Sequence, residues 1–228
     1  MVTYPNVIAP KFGEVFRTDF RLKGRWKEEI FGNDRPLVLE LGCGKGEYTV
    51  ALARKYPEKN HIGVDIKGSR MYVGATDALN NHLTNVAFLR TRIEFITSCF
   101  ASGEVSEIWI TFPDPQPQES RVNKRLTSAR FLQSYREILQ TGGILHLKTD
   151  SRSLFEYTCN IIEFNKLNTN VCSDDLYHSG YADDILSVQT YYEKMFMEKG
   201  FTIKYLKFSI PENVSLVELP KKDEQEKS

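Results

Sequence analysis

The chain has 228 residues, 41% of them hydrophobic and 26% charged, with 30 basic side chains against 30 acidic ones. That length and balance fit one hydrophobic core and exclude disorder, collagen and a disulfide mini-scaffold. No apolar run approaches the roughly 18–20 residues that cross a bilayer, and MVTYPNVIAPKFGEVF lacks the charged-then-apolar order of a signal peptide, so a cytoplasmic protein with no membrane partner is expected.

From Pro36 onward, β-rich runs alternate with helical stretches, the pattern of an α/β protein with a mostly parallel sheet. LVLEL at 37–41 is the first strand. Gly42 to Gly46 turn the chain, and Glu47 to Tyr56 reads as a helix ended by Pro57. HIGVDI at 61–66 is a strand followed by a helix to about Asn80; NVAFL at 85–89 is the third strand and Glu94 to Ala101 a short helix. SEIWITF at 106–112 is the fourth strand, interrupted by PDPQP at 113–117. Thr127 to Gln140 is helical, capped by TGG at 141–143, and ILHLKTD at 144–150 is the fifth strand. SLFEYTCNIIEF at 153–164 is the next helix. A polar, acidic loop around Asp174 to Asp184 precedes a helix from about Ser187 to Lys199, which Gly200 stops. FTIKYLKFSI at 201–210 then forms a last strand, placed antiparallel or at the sheet's edge because no crossover precedes it. Residues 1–35 read as a basic extension, 36–212 as the domain proper and 213–228 as a charged tail. The chain shows no repeat and no interdomain linker.

Cys43, Cys99, Cys159 and Cys172 form no CxxC pair and stand in no zinc spacing with His61, His82, His146 or His178; reduced, packed thiols and no metal are expected. A net charge of zero leaves a nucleic-acid partner open, because the local patch sets the potential a phosphate meets. Lys11, Arg17, Arg21, Lys23, Arg25 and Lys27 outnumber Glu14 and Asp19 in one stretch. Arg121, Lys124, Arg125 and Arg130 occur together with no acid between them. Either run alone also suits a solvated face.

The strongest local signal is LELGCGKG at 39–46, at the carboxyl end of the first strand, where ligands bind in open α/β sheets. Gly42, Gly44 and Gly46 allow sharp turning and close approach. A dinucleotide site wants GxGxxG so that pyrophosphate can rest on the helix N-terminus, but position 47 holds Glu47, which repels it. The glycine spacing resembles instead the ExGxGxG loop of class I S-adenosylmethionine methyltransferases. Glu40 suits that cofactor's cationic methionine portion, and Asp65, closing the second strand, suits a ribose diol. Asp114, held between two prolines after the fourth strand, is presented beside the same pocket.

ITFPDPQP, KRLTSARFLQSY at 124–135, GGILHLKTDSRSLFEY at 142–157 and TYYEKMF at 190–196, in that order, resemble the bacterial tRNA (guanine-N7)-methyltransferase family, over most of Val38 to Phe201. The resemblance implies a Rossmann-like class I methyltransferase fold with a mostly parallel seven-stranded sheet, helices on both faces and an antiparallel last strand. It implies S-adenosyl-L-methionine as cofactor, tRNA as substrate and a variable-loop guanosine as acceptor. Carried over by motif, the cofactor residues are Glu40, Gly42, Gly44, Asp65, Asp114 and the position occupied by Arg92. Asp114 is the active-site aspartate. Substrate-binding residues are Asp150, Thr190, Tyr191, Tyr192, Glu193 and Gln118, with RNA contacts at Arg121, Lys124 and Arg125.

Two departures stand out. The family's RxD after the third strand reads RTR here, so Arg92 offers no carboxylate to the adenine amino group, though backbone at 92–93 still can. The family's DPWPKKRHxKRRL reads DPQPQESRVNKRL, with Gln116 for tryptophan and Gln118 and Glu119 for two lysines. Fewer phosphate-neutralising charges predict a shallower salt dependence of tRNA binding, or compensation by Arg121, Lys124, Arg125 and the N-terminal stretch. Other readings of the same residues are a methyltransferase for another acceptor and a non-catalytic RNA-binding relative. Oligomeric state, monomer or homodimer, is not legible.

Overall fold

The computed structural model describes residues 4–182 and 185–220. The path opens with strand β1 (Val7–Ile8), helical turn α1 (Phe12–Val15) and a π-helical turn at Lys27–Phe31. Then come β2 (Leu37–Leu41), α2 (Glu47–Lys55), β3 (Asn60–Asp65), α3 (Gly68–Asn80), β4 (Val86–Arg90), α4 (Ile96–Cys99), β5 (Val105–Thr111) and α5 (Ala129–Ile138). β6 (Leu139–Thr149), α6 (Arg152–Phe164), β7 (Asn168–Ser173), α7 (Tyr191–Glu198) and β8 (Lys204–Ser209) complete it. The strands make one sheet in the order β1-β4-β3-β2-β5-β6-β8-β7. β1 to β6 pair in parallel, whereas β8 runs antiparallel to both β6 and β7. All five residues of β2 are buried, as a strand covered by helices on both faces requires.

The sheet has eight strands where the family resemblance implies seven; the two that the chain-order reading does not name are β1, two residues pairing with β4 through Val7 and Phe88, and β7. β7 carries no hydrophobic run: NTNVCS is largely exposed, because this edge strand has a partner on one side only. β8 is antiparallel as expected, but it is inserted between β6 and β7 and is not an edge. The TGG at 141–143 does not cap a helix. α5 ends at Ile138, and the pairing of β5 with β6 jumps from Val105 with Leu139 to Glu107 with Ile144, so Gln140 to Gly143 bulge within one strand. The helix expected from Ser187 starts at Tyr191, with Thr190 as its N-cap, for a reason found in the site below.

The stretch before β2 contributes Val15, Phe20, Leu22 and Trp26 to the main core; Trp26 is fully buried and its indole N–H donates to the Cys99 carbonyl at 2.8 Å. Val214, Leu216 and Leu219 pack against the same core from the other terminus. Glu218 accepts from the Ala129 amide (3.2 Å), at the start of α5, and from Tyr157 Oη (2.7 Å). Asp183, Asp184 and residues 221–228 lie outside the described residues. Among the described residues, no helix is long and apolar enough to cross a membrane.

Candidate active site

Residues at the carboxyl ends of β2, β3 and β5 line a cavity of about 240 Å³, together with Thr190 from the segment before α7. Glu40, Gly42, Gly44, Asp65 and Asp114 all line it. A larger cavity, about 340 Å³, opens at the opposite edge of the sheet beside Arg136, Gly142 and Glu212. It contains none of these residues and faces the amino ends of β5 and β6, which makes the smaller one the candidate site.

The glycines of the first turn have different duties. Gly42 and Gly44 have positive φ, and the Gly44 amide donates to Asp65 Oδ2 at 2.9 Å, tying the turn after β2 to the end of β3. Gly46 serves packing: a Cβ there would lie 2.5 Å from the Phe88 ring and 3.4 Å from Gly74, so its absence lets α2 and α3 close on β4. Asp65 Oδ1 also accepts the Lys67 amide at 2.8 Å, which fixes the carboxylate at the cavity wall.

Glu40 is 2% exposed and accepts hydrogen bonds from the hydroxyls of Thr111 (2.5 Å) and Thr49. Burial pushes its carboxyl pKa up to about 7; the two threonine hydrogen bonds pull it down and the neighbouring Asp65 charge adds to the rise. A cationic ligand in the cavity favours the ionised form.

Asp114 sits exposed at the cavity mouth, where its Oδ1 accepts the Gln116 amide at 3.1 Å. The loop around it is conformationally strained, with Phe112 and Gln116 at φ 48° and 44°, a region that costs a bulky residue free energy and is met at functional sites.

The TYYE motif is organised around a buried ion pair. Lys148 in β6 and Glu193 in α7 are both 0% exposed and 2.8 Å apart. Lys148 Nζ also donates to the carbonyls of Leu186 (2.7 Å) and Val188 (3.1 Å) and lies among the rings of Tyr48, Phe112 and Tyr177. Tyr177 Oη donates to Glu193 at 2.6 Å, and Tyr48 Oη to the Ile185 carbonyl at 3.0 Å. These carbonyls are spent on side chains from β6 and α2, so residues 186–188 cannot continue a helix and α7 starts later than the periodicity predicts. Thr190 Oγ1 accepts the Glu193 amide at 3.3 Å, and Thr190 lines the cavity. The side chains of Tyr191 and Tyr192 lie outside what the structure describes.

The remaining predicted residues spread around this centre. Asp150 follows β6 outside the cavity lining, half-buried, with its pKa raised by burial. Arg92, which precedes a 3-10 turn at Ile93–Phe95, is exposed and does not line the cavity. Gln118, Arg121 and Lys124 are exposed on the segment after Asp114. Arg125 is 7% exposed, donates to the carbonyls of Gln116 (3.1 Å) and Pro117, and lies 4.4 Å over the Tyr157 ring. It therefore holds the Asp114 loop, with its guanidinium largely covered. Sequence reading missed Lys148 and Tyr48; the lone lysine of an otherwise apolar strand, ILHLKT, was the available signal for the first.

The family model described as "Putative methyltransferase" matches residues 34–206. The tRNA (guanine-N(7)-)-methyltransferase of Bacteroides thetaiotaomicron is 53% identical over 218 residues, 96% of this chain and 86% of that protein. The chain belongs to the tRNA (guanine-N7)-methyltransferase family. The relative of that name in Listeria monocytogenes is 37% identical, over 84% of this chain and 87% of its own length. The fold is shared with the 16S rRNA methyltransferase KamB, at 17% identity and a TM-score of 0.61 over 81% of this chain and 92% of that one.

Proposed function

We propose that the protein transfers a methyl group from S-adenosylmethionine to N7 of a variable-loop guanosine in tRNA, in the cytoplasm. The observation that carries this reading is the convergence of Glu40, Asp65, Asp114 and Thr190 on one cavity in a chain of this family. Those residues fit the cofactor: a buried carboxylate for a cationic methionine portion, an aspartate fixed by two amides for a ribose diol, and glycines 42 and 44 where backbone must come close. When bound, S-adenosylmethionine supplies an electrophilic methyl on sulfur.

Guanine N7 carries an in-plane lone pair at neutral pH, so no residue has to remove a proton before attack. The protein's work is alignment, which contributes several kcal/mol when the reacting atoms are held in line. As the purine becomes cationic, the Asp114 carboxylate stabilises the developing charge more than the neutral ground state. Its Oδ1 is held by Gln116, leaving Oδ2 for the purine N1–H or amino group. Thr190 Oγ1 accepts from the Glu193 amide and retains its own O–H to donate into the cavity. Glu193, fully buried on Lys148, acts by fixing Thr190, while Asp150, Tyr191 and Tyr192 keep the substrate-binding roles that the family motif gives them. The backbone at 92–93, with Arg92 turned to solvent, reads the adenine edge. Gln118, Arg121 and Lys124 face the tRNA backbone.

Labelled methyl from S-adenosylmethionine, supplied with unmodified bulk tRNA and followed by nucleoside analysis, tests the reading. Label recovered as 7-methylguanosine is the expected result. Cofactor binding without incorporation would assign another acceptor, and absence of cofactor binding would mark a non-catalytic relative.

A further inference from the structure

Phe12 and Phe16, at the two ends of α1, are 61% and 43% exposed. Their rings stack at 4.7 Å, both meet the Phe95 ring edge-on at 5.8 and 6.1 Å, and the Arg17 guanidinium lies 5.2 Å over Phe16. Arg17 makes no ion pair among the described residues. Topology fixes where this cluster lies. β1 is parallel to β4, so α1, which follows β1, and the Phe95 turn, which follows β4, both emerge at the carboxyl edge of the sheet. That is the edge on which the cavity opens.

In the order β1-β4-β3-β2, three strand spacings, about 14 Å, separate the cluster from the end of β2. The surface between them is cationic. Lys67 and Arg70 line the cavity, Arg90 packs on Gly68 at the start of α3, and Arg92 is exposed beyond it. Glu94 is exposed beside Phe95, and Glu14 is occupied in accepting the Lys11 amide at 2.6 Å.

We propose that Phe12, Phe16 and Phe95 form a stacking platform for an unpaired base of the tRNA whose guanosine enters the cavity. The inference rests on the methyl-transfer reading for the identity of the RNA. Flat aromatic faces with a guanidinium over one of them, approached along arginines, are the composition that holds single-stranded bases without reading their sequence. A tRNA is far larger than the separation, so one molecule reaches both places. A second copy of this chain is a poorer occupant, because two half-exposed phenyl rings offer roughly 200 Å² and a stable interface buries about 1,200 Å² or more in total. The platform also accounts for how the chain tolerates Gln118 and Glu119 where the family resemblance predicts lysines: affinity lost from charge is supplied by stacking on the other side of the cavity.

The test uses the full chain and an unmodified tRNA transcript, with both methyl transfer and filter binding measured. For the Phe12→Ala, Phe16→Ala double variant, KM and Kd for tRNA should rise about 10-fold or more, the loss of one base stack. The kcat, the cofactor Kd and Tm should stay at wild-type values. Phe16→Trp should keep tRNA affinity and Phe16→Leu, apolar but without a ring face, should lose it. The proposal is overturned if the double variant binds tRNA within twofold of wild type, or if leucine serves as well as tryptophan. It is equally overturned if the substitutions turn a dimer into a monomer and leave tRNA affinity alone. Failure of the methyl-transfer reading shows differently, as a wild-type protein that binds tRNA and makes no 7-methylguanosine.

Discussion

Asp114 is exposed, so its removal tests chemistry with little disturbance of packing. Asp114→Asn should lower kcat by about 100-fold, the size of effect seen when one group aimed at transition-state charge is lost. Tm should barely move, and wild-type turnover would show that the developing purine charge is stabilised elsewhere. Glu40 gives a pH signature. Its folded pKa, about 7, is raised above the ordinary carboxylate value of 4.5, so its contribution to the stability of the ligand-free protein is full below 4.5 and is lost as pH rises through 7. Cofactor binding has the opposite sign, because the cation prefers ionised Glu40. Calorimetric titration should therefore give tighter S-adenosylmethionine binding at pH 8 than at pH 6, and a flat profile would contradict the assignment. Lys148→Met leaves Glu193 buried without its cation and should cost about 3–5 kcal/mol in urea denaturation. Adding Glu193→Leu should recover most of that stability without restoring the position of Thr190 or the turnover, which separates the pair's structural role from its positioning one.

Among the elements, the turn after β2 couples packing to the site. A Cβ at Gly46 meets the Phe88 ring at 2.5 Å while the residue's φ is +74°, so Gly46→Ala combines overpacking with a left-handed backbone. A loss of about 2–4 kcal/mol is expected from those two costs, read from urea midpoints, with the α2–α3 contact opening first. An unchanged midpoint would mean that the helices are not held as closely as described. Elements with continuous or periodic apolar runs were legible in sequence: β2 to β5, α2, α3 and α6 fall within a few residues of expectation, whereas β6 begins five residues early, at Leu139. β1 and β7 were not, since a two-residue edge pairing and a polar edge strand leave no periodic signal. The late start of α7 was hidden because it is set by Lys148, distant in sequence, taking the carbonyls the helix would need. In the same way, Glu40, Asp65 and Asp114 could be placed from strand ends, whereas the burial of Glu193 and Arg125 depends on partners far along the chain.

For the whole molecule, neutrality and the Gln118 and Glu119 substitutions set the character of RNA binding. Counting Arg17, Arg121 and Lys124 as phosphate contacts, log Kd against log salt should have a slope of roughly 2 to 3, and the residual affinity at high salt should vanish with Phe12 and Phe16. A slope several units steeper would place the missing charge contacts elsewhere. The basic stretch from Lys11 to Lys27 reads from sequence as a patch, but ion pairs from Lys23 to Asp19 and from Arg21 and Arg25 to Glu29 absorb half of its cations. What remains at the sheet's carboxyl edge is the cavity, a cationic surface and an aromatic cluster, arranged along one face that a folded tRNA can cover. The most direct test of the central claim is methyl transfer to two tRNA transcripts that differ only at the variable-loop position, one with guanosine and one with 7-deazaguanosine. Both should bind equally, with 7-methylguanosine forming on the first and no methyl transfer to the second. Equal methylation of the two would contradict attack by N7.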